Sequence, residues 1–375
     1  MASLFDLTPL AQMLMVVGLV VLLPLAWIWK RHPDTASRRR ALTLLLVFLT
    51  FDLIVFGAFT RLSDSGLGCP DWPGCYGSGT PLGASAEIAA AQSALPDGPV
   101  TFVKAWIEML HRYLASAVGA LILFLALWSW RHRQSIGSPW PATLALVWVC
   151  VQGAFGALTV TLKLFPAIVT MHLMGGILLL VILGVQVAQD KQFVYKPLPE
   201  SSHRLLWLSA LLLGLQIALG AWVSTNYAVL ACQEFPTCQG SWWPEMDFAQ
   251  GFELWRHLGV DAAGSPIGFA ALTAIHYTHR LMAYLVALVL TVLTWRLWQS
   301  GWRRAARYLG ALLLFQLLTG LSNVVLGWPM LAALLHTAGA AALALLLSSL
   351  IAVQWTPRRV QLPSGPGMNG QRQPV

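Results

Sequence analysis

Charge is what this sequence has least of. Asp, Glu, Lys and Arg make up 10% of its 375 residues, against about 25% in an ordinary globular chain. That shortage excludes a soluble enzyme and a charged disordered tail together. Targeting signals are also missing. Met1 to Leu10 carries Asp6 as its one charged residue, whereas a secretory signal starts basic and a mitochondrial presequence is rich in arginine. The first apolar run therefore reads as a retained helix.

Apolar surface is what the chain has instead, with 57% hydrophobic residues and a mean hydropathy of +0.67. At roughly 20 apolar residues per crossing, this composition supplies about nine transmembrane helices. The runs fall at about 9 to 29, 41 to 62, 103 to 128, 140 to 161, 167 to 188, 205 to 226, 267 to 298, 307 to 326 and 330 to 353. They are too long and too continuously apolar for barrel strands, so the expected fold is an all-α polytopic membrane protein. A net charge of +8 and a pI near 9.5 could otherwise suggest nucleic acid. In a membrane chain such an excess marks cytoplasmic loops.

Position bears this out. Alternate connections and the tail carry 17 of the 23 basic residues: Lys30, Arg31 and Arg38 to Arg40, then Arg131 and Arg133, Lys191, Lys196 and Arg204, Arg296, Arg303, Arg304 and Arg307, and Arg358, Arg359 and Arg372. The two long opposite loops, about 63 to 102 and 227 to 266, hold nine acidic residues and Arg256 as their only basic one. The positive-inside bias then puts the amino terminus outside and the carboxyl terminus in the cytoplasm.

The sequence repeats itself about 164 residues on. Gly57-Ala58-Phe59 aligns with Gly220-Ala221-Trp222, and Cys69 to Cys75 aligns with Cys232 to Cys238, both C-x-x-x-P-x-C with a glycine two places on. Further along, Glu108 to Arg112 meets His276 to Arg280, Gln152 and Gly156 meet Gln316 and Gly320, and Met171-His172 meets Leu335-His336. Two pseudo-symmetric four-helix halves follow one extra helix, in parallel repeat because an even number of crossings separates equivalents. The expected divisions are 1–40 for the extra helix and its basic loop, 41–190 and 205–355 for the halves, and 356–375 for a cytoplasmic tail.

Each half places a histidine on its second helix and another on its fourth: His111 with His172, and His279 with His336. A polar side chain in lipid is costly, so imidazoles recurring in equivalent places call for a partner or a ligand. Inter-helix hydrogen bonding is the plainer explanation. The sharper one is heme, since two histidines from neighbouring helices can approach a flat macrocycle from opposite faces. Zinc is disfavoured, because the cysteines that would complete its ligand set lie in loops away from these helices. At about 1.5 Å per residue, all four histidines lie roughly 8 to 18 Å below the outer helix ends. His32, His132, His203 and His257 fall between the runs and carry no such pattern.

Arg112 and Arg280 each follow a histidine. They could pair with heme propionates, or equally with a carboxylate or carbonyl of a neighbouring segment. Glu108 stands three residues before His111 and so shares its helical face, while the equivalent of Glu108 is His276. A carboxyl group there could act as acid or base, or merely anchor a hydrogen bond. The asymmetry suggests chemistry in the first half and a redox cofactor in the second. His276 could be an outer supporting group or an alternative ligand to His279, with the His-Arg register favouring His279. Each cysteine pair, Cys69 with Cys75 and Cys232 with Cys238, can close a small disulfide ring in an oxidising compartment, as a staple or as a thiol-exchanging bridge. Cys150, inside an apolar run, is expected to be buried.

With these residues in place, the chain resembles the heme A synthase family of respiratory membranes. The segment Arg61-Leu-Ser-Asp-Ser-Gly-Leu-Gly-Cys-Pro-Asp-Trp-Pro-Gly-Cys75 looks like that family's first outer loop. Glu108-x-x-His111-Arg112, Met171-His172, Cys232 to Cys238, His279-Arg280 and Leu335-His336 follow in the family's order, over about residues 45 to 355. The resemblance implies conversion of heme O to heme A by oxidation of a ring methyl through an alcohol to a formyl group. His111 and His172 would bind the substrate heme, Glu108 would assist the oxidation, and His279 with His336 would ligate a heme b. The first cysteine pair is implicated in activity. The added helix at about 9 to 29 departs from the usual eight crossings and leaves open contacts with another subunit or an assembly partner.

The partners so implied are heme O, heme O synthase and oxidase assembly factors, an electron-transfer partner, membrane lipid and a second copy of the chain, with no nucleic acid. The implied location is the bacterial inner membrane. Three rival functions compete. A thiol/disulfide oxidoreductase would carry the cysteine pairs without needing four histidines, a diheme electron-transfer protein leaves Glu108 without work, and a heme exporter would want a tryptophan-rich outer motif that is not evident.

Overall fold

A computed structural model describes residues 8–96, 98–190 and 197–355. Asp97, Lys191, Lys196, residues 1–7 and the tail with Arg358, Arg359 and Arg372 lie outside the described residues. Apolar runs in lipid must satisfy their own N–H and C=O groups, and helices do so. The chain accordingly forms α1 (Thr8–Arg31), α2 (Thr35–Leu62), α3 (Ser85–Ala94), α4 (Phe102–Arg131), α5 (Arg133–Ile136), α6 (Trp140–Thr161), α7 (Pro166–Asp190), α8 (Glu200–Thr225), α9 (Phe248–Gly251), α10 (Phe269–Gln299), α11 (Arg303–Val325) and α12 (Met330–Trp355). Among the described residues, nine helices are long and apolar enough to cross a membrane, as the composition requires. The protein is an all-α, multi-pass membrane protein.

Several helices start earlier than the apolar runs do. α2 begins at Thr35, six residues before the run, where Asp34 Oδ1 accepts the Ser37 N–H at 2.8 Å as a cap. Arg38 to Arg40 then occupy its first turns, as Arg303 and Arg304 do in α11. Arginine is a good helix former whose stem lies along apolar surface while its head stays in water, so charge ends the apolar run without ending the helix. For the same reason His203, expected in a loop, falls in the first turn of α8.

In the first half, α2 packs on α4, α4 on α6, α6 on α7 and α7 back on α2, leaving α4 and α7 diagonally opposed. The second half repeats this ring with α8, α10, α11 and α12, in which α10 and α12 are diagonal. The halves meet through α7 against α8 and α12, and through α2 against α12. Ile54, Leu180, Leu213, Leu290, Leu343 and Leu347 are buried in this shared core. In lipid such packing is held by dispersion and inter-helix hydrogen bonds, because apolar surface gains little by leaving hydrocarbon. A polar clasp joins the basic end: Arg39 Nη2 reaches Asp190 Oδ1 at 2.6 Å, and Nη1 donates to the Ile136 carbonyl at 2.9 Å.

The extra helix α1 lies against α4 and α2. Near its basic end Ile28 is buried and Trp29 sits edge-on to Phe124 and Trp128, with ring centroids 5.3 and 4.7 Å apart. Cys150 corrects an expectation, since it is exposed on α6. That helix buries Ala142, Ala145 and Gln152, and two residues of helix put Cys150 about 200° from Gln152. A thiol is apolar enough to sit on that open face.

Candidate functional site

The ring order sets the site. His111 and His172 project from diagonal helices α4 and α7, and His279 and His336 from diagonal helices α10 and α12. Each lies roughly two to three turns inside the end that carries the disulfide loops. Every one of the four imidazoles rests against a glycine of the neighbouring helix. A Cβ added at Gly57 would come 3.0 Å from His111 Nε2, and one at Gly156 would come 3.3 Å from His172 Cε1. At Gly220 it would come 2.9 Å from His279 Cε1, and at Gly320 3.2 Å from His336 Cε1. The glycines that mark the repeat in the sequence are thus the hollows into which its histidines fit.

Glu108, His111 and Arg112 share one face of α4 through their spacings of three and four. Glu108 is buried. Its Oε2 accepts the backbone N–H of Cys69 at 2.8 Å, and its Oε1 pairs with Arg112 Nη2 at 2.5 Å. Arg112 Nη1 donates to the carbonyls of Asp71, Pro73 and Gly74, at 2.9, 3.1 and 2.5 Å. The carboxylate is therefore tied to the first cysteine loop. The second half keeps the arginine and exchanges the acid. Arg280 donates to the carbonyls of Cys232, Glu234 and Thr237, at 2.6, 2.8 and 3.2 Å. His276 stands where Glu108 does, with Nδ1 3.0 Å from the Ala228 carbonyl and Nε2 accepting from Arg280 Nε at 3.3 Å. Both of its ring nitrogens are engaged by protein.

The two histidine pairs differ in their support. In the second half, Thr319 Oγ1 lies 3.1 Å from His336 Nδ1, Gln316 donates to the His336 carbonyl at 2.9 Å, and Gln216 donates to the His279 carbonyl at 3.2 Å. By the repeat, Leu53 and Phe155 stand in the first half where Gln216 and Thr319 stand in the second. His172 Nδ1 in the first half and His279 Nδ1 in the second are both buried without a hydrogen-bond partner, and Phe56 stacks against the His111 ring at 6.1 Å. The sequence analysis missed Gln216 and Thr319. Their signal was available as polar residues beside a repeated glycine, Gln216 one turn before Gly220 and Thr319 directly before Gly320.

Both disulfides form, Cys69–Cys75 and Cys232–Cys238, each with Cα atoms 4.9 Å apart. The loops match closely. Trp72-Pro73 and Phe235-Pro236 are both cis, and Asp71 and Glu234 both turn a carboxylate onto backbone N–H groups of the following turn. Tyr113 Oη donates to the Gly79 carbonyl at 2.6 Å, and Tyr277 Oη donates to that of Trp242. At this end the halves are joined by Arg61, which donates to the Ser224 carbonyl at 2.7 Å and lies 3.8 Å from the centre of the Tyr227 ring. Tyr227 Oη in turn donates to Asp64 at 3.2 Å, and burial pushes its phenol pKa up. Arg256, the only basic residue of the loops, is buried and held by Asn226 at 2.5 Å, and burial pulls its guanidinium down from its ordinary value.

Two repeated helix quartets, each opposing a pair of imidazoles across its diagonal, define a membrane protein of the heme-handling class. The chain belongs to the cytochrome oxidase assembly protein family (COX15-CtaA), whose model matches residues 40–348. It is 38% identical over 321 residues to the heme A synthase of Shewanella oneidensis, covering 83% of this chain and 96% of that one. It is 28% identical over 352 residues to the heme A synthase of Maricaulis maris, covering 88% and 98%. To that of Halalkalibacterium halodurans it is 26% identical over 298 residues, covering 76% and 86%. Helix α1 precedes the residues that the family model matches.

Proposed function

We propose that the protein acts as a heme A synthase: it binds heme O between His111 and His172, oxidises one ring methyl to a formyl group, and keeps a heme b between His279 and His336. The observation that carries this reading is the difference between the halves. Only the first places a buried carboxylate beside its histidine. Only the second pins a ligating imidazole through a hydroxyl group and braces both helices with glutamine.

The residues fit the groups. Imidazole is the usual axial donor to heme iron, and His336, whose Nδ1 lies against Thr319 Oγ1, keeps Nε2 for the metal. The orphaned His172 Nδ1 and the glycine hollows belong to side chains placed for something other than each other. Polar partners that orient a ligand typically raise metal affinity by 10- to 100-fold, which suits a resident cofactor. In the first half Leu53 and Phe155 stand where Gln216 and Thr319 do in the second, and that more apolar surround suits a substrate that must leave. When bound in the second half, heme b supplies one-electron transfer. Glu108, fixed by Cys69 and Arg112, is positioned to hold a proton released as the methyl is oxidised. Arg112 and Arg280 shape the loops through carbonyls, leaving contact with propionates as a further role. His276 acts as a support for Arg280.

The charge pattern supports a topology with the disulfide loops on the periplasmic side of a bacterial inner membrane and the basic ends in the cytoplasm. Heme O synthase and oxidase assembly factors are the natural neighbours there, with an electron acceptor and a second copy of the chain as further partners. Pigment extraction tests the reading. Expressed beside a source of heme O, the wild-type chain yields heme A, and Glu108→Ala yields heme O with the b-type spectrum retained. Heme A formed at the wild-type rate by Glu108→Ala, or by neither the wild-type chain nor the variant, overturns it. The second outcome would leave a diheme electron carrier.

A further inference from the structure

Helix α1 lies outside the residues that the family model matches, yet it is not a loose appendage. Its loop-facing end touches the first cysteine loop and, among the described residues, has no counterpart in the second half. Gln12 Oε1 accepts the backbone N–H of Gly79 at 2.8 Å. Pro9 is buried, and a Cβ on Gly74 would come 3.1 Å from Pro9 Cβ. Met13 is buried in one cluster with Cys69, Cys75, Ile88, Met109 and Tyr113.

These contacts complete a set. The loop is fastened at its start by Cys69 to Glu108, in its middle by Gly74 to Arg112, and at its end by Gly79 to Tyr113. Gln12 holds the remaining polar group of Gly79, so both the N–H and the C=O of that residue are tied, one to α1 and one to α4. The second loop has the arginine and the tyrosine but, among the described residues, no such helix. The far end of α1 is fixed independently, by Ile28 and by Trp29 against Phe124 and Trp128.

We infer that α1 is a brace that holds the Cys69–Cys75 loop closed over the Glu108 side of the first half, with Gln12 as its positioning residue. Its effect is local to one loop, which gives the test an internal control. Cys232–Cys238 belongs to the same molecule, lies at the same end and lacks the brace. The two disulfides report on loop closure whether or not heme is being converted, so the outcome is independent of the proposed activity.

The full-length chain in detergent micelles is treated with tris(2-carboxyethyl)phosphine, quenched with N-ethylmaleimide at intervals, and read by mass spectrometry of the two loop peptides. Gln12→Leu, which keeps the size and removes the acceptor, is expected to speed reduction of Cys69–Cys75 about fivefold, the loss of one ordinary hydrogen bond. Cys232–Cys238 keeps its wild-type rate. Gln12→Glu, which restores an acceptor oxygen, returns the first bridge to within about twofold of wild type. Met13→Ala, which empties a buried site beside the disulfide, is expected to act in the same direction as Gln12→Leu. Unchanged rates for both bridges in Gln12→Leu and Met13→Ala overturn the brace. So does equal acceleration of both bridges, which would mean that α1 stabilises the whole fold instead of one loop.

Discussion

Each of the four imidazoles lies close against a glycine, most tightly at Gly220, and this makes the glycines as much a part of the site as the histidines they face. A Cβ at Gly220 would stand 2.9 Å from the His279 ring, closer than ordinary carbon contact. Gly220→Ala is therefore expected to tilt the ring and weaken heme retention by roughly tenfold, within the usual cost of overpacking of about 1–3 kcal/mol. Gly220→Leu should remove the b-type absorbance. Optical titration with hemin of the two purified variants checks both, and retention equal to wild type in Gly220→Leu would mean that the ring does not point at a ligand. Glu108 and His111 could be read together because their spacing along one helix is a local property, and the four histidines because they recur in the repeat. What faces them could not. Gly57 and His111, or Thr319 and His336, meet only through the rotation and depth of two separate helices. The partners of Arg112 were likewise legible as a choice between carboxylate, carbonyl and propionate. Only the folded loop shows that the guanidinium group spends itself on Glu108 and three carbonyls.

At the level of elements, apolar runs located all nine long helices, while their ends shifted wherever arginine continued a helix beyond the hydrocarbon-like run. The shift matters at the start of α2, because it brings Arg39 onto the helix and within reach of Asp190 at the end of α7. Both side chains are about one-quarter exposed, so this pair is worth about 1 kcal/mol or less. Asp190→Asn should lower the midpoint of thermal unfolding in micelles only slightly. Arg39→Ala, which also abandons the Ile136 carbonyl, should lower it further. Equal midpoints for the two variants would show that the carbonyl contributes nothing. Cys150 marks the limit of a run-based reading: hydropathy places a residue in a helix but does not choose its face, and in lipid an apolar residue is content on either side.

For the molecule as a whole, the repeat predicts that the two proposed heme sites are separable. The halves share a core through α2, α7, α8 and α12 but keep their histidine pairs in different quartets. Purified protein is expected to show a low-spin b-type spectrum that His279→Ala or His336→Ala abolishes. His111→Ala or His172→Ala should leave that spectrum and stop conversion of heme O. A spectrum that survives all four substitutions would remove the ligand assignment altogether. The repeat was visible in the sequence through residues that apolar composition does not explain, the cysteines, histidines and glycines. The asymmetry on which the proposed function rests was visible only in part, because the exchange of Glu108 for His276 appears in the repeat while the contact of Thr319 with His336 does not.

The carboxylate of Glu108 is fastened to the backbone of an aqueous loop and to an arginine that grips the same loop, not to another buried helix. A soluble binder such as a nanobody, clamped on the Cys69–Cys75 turn and pulling it outward, would consequently act as an inhibitor without ever entering the bilayer.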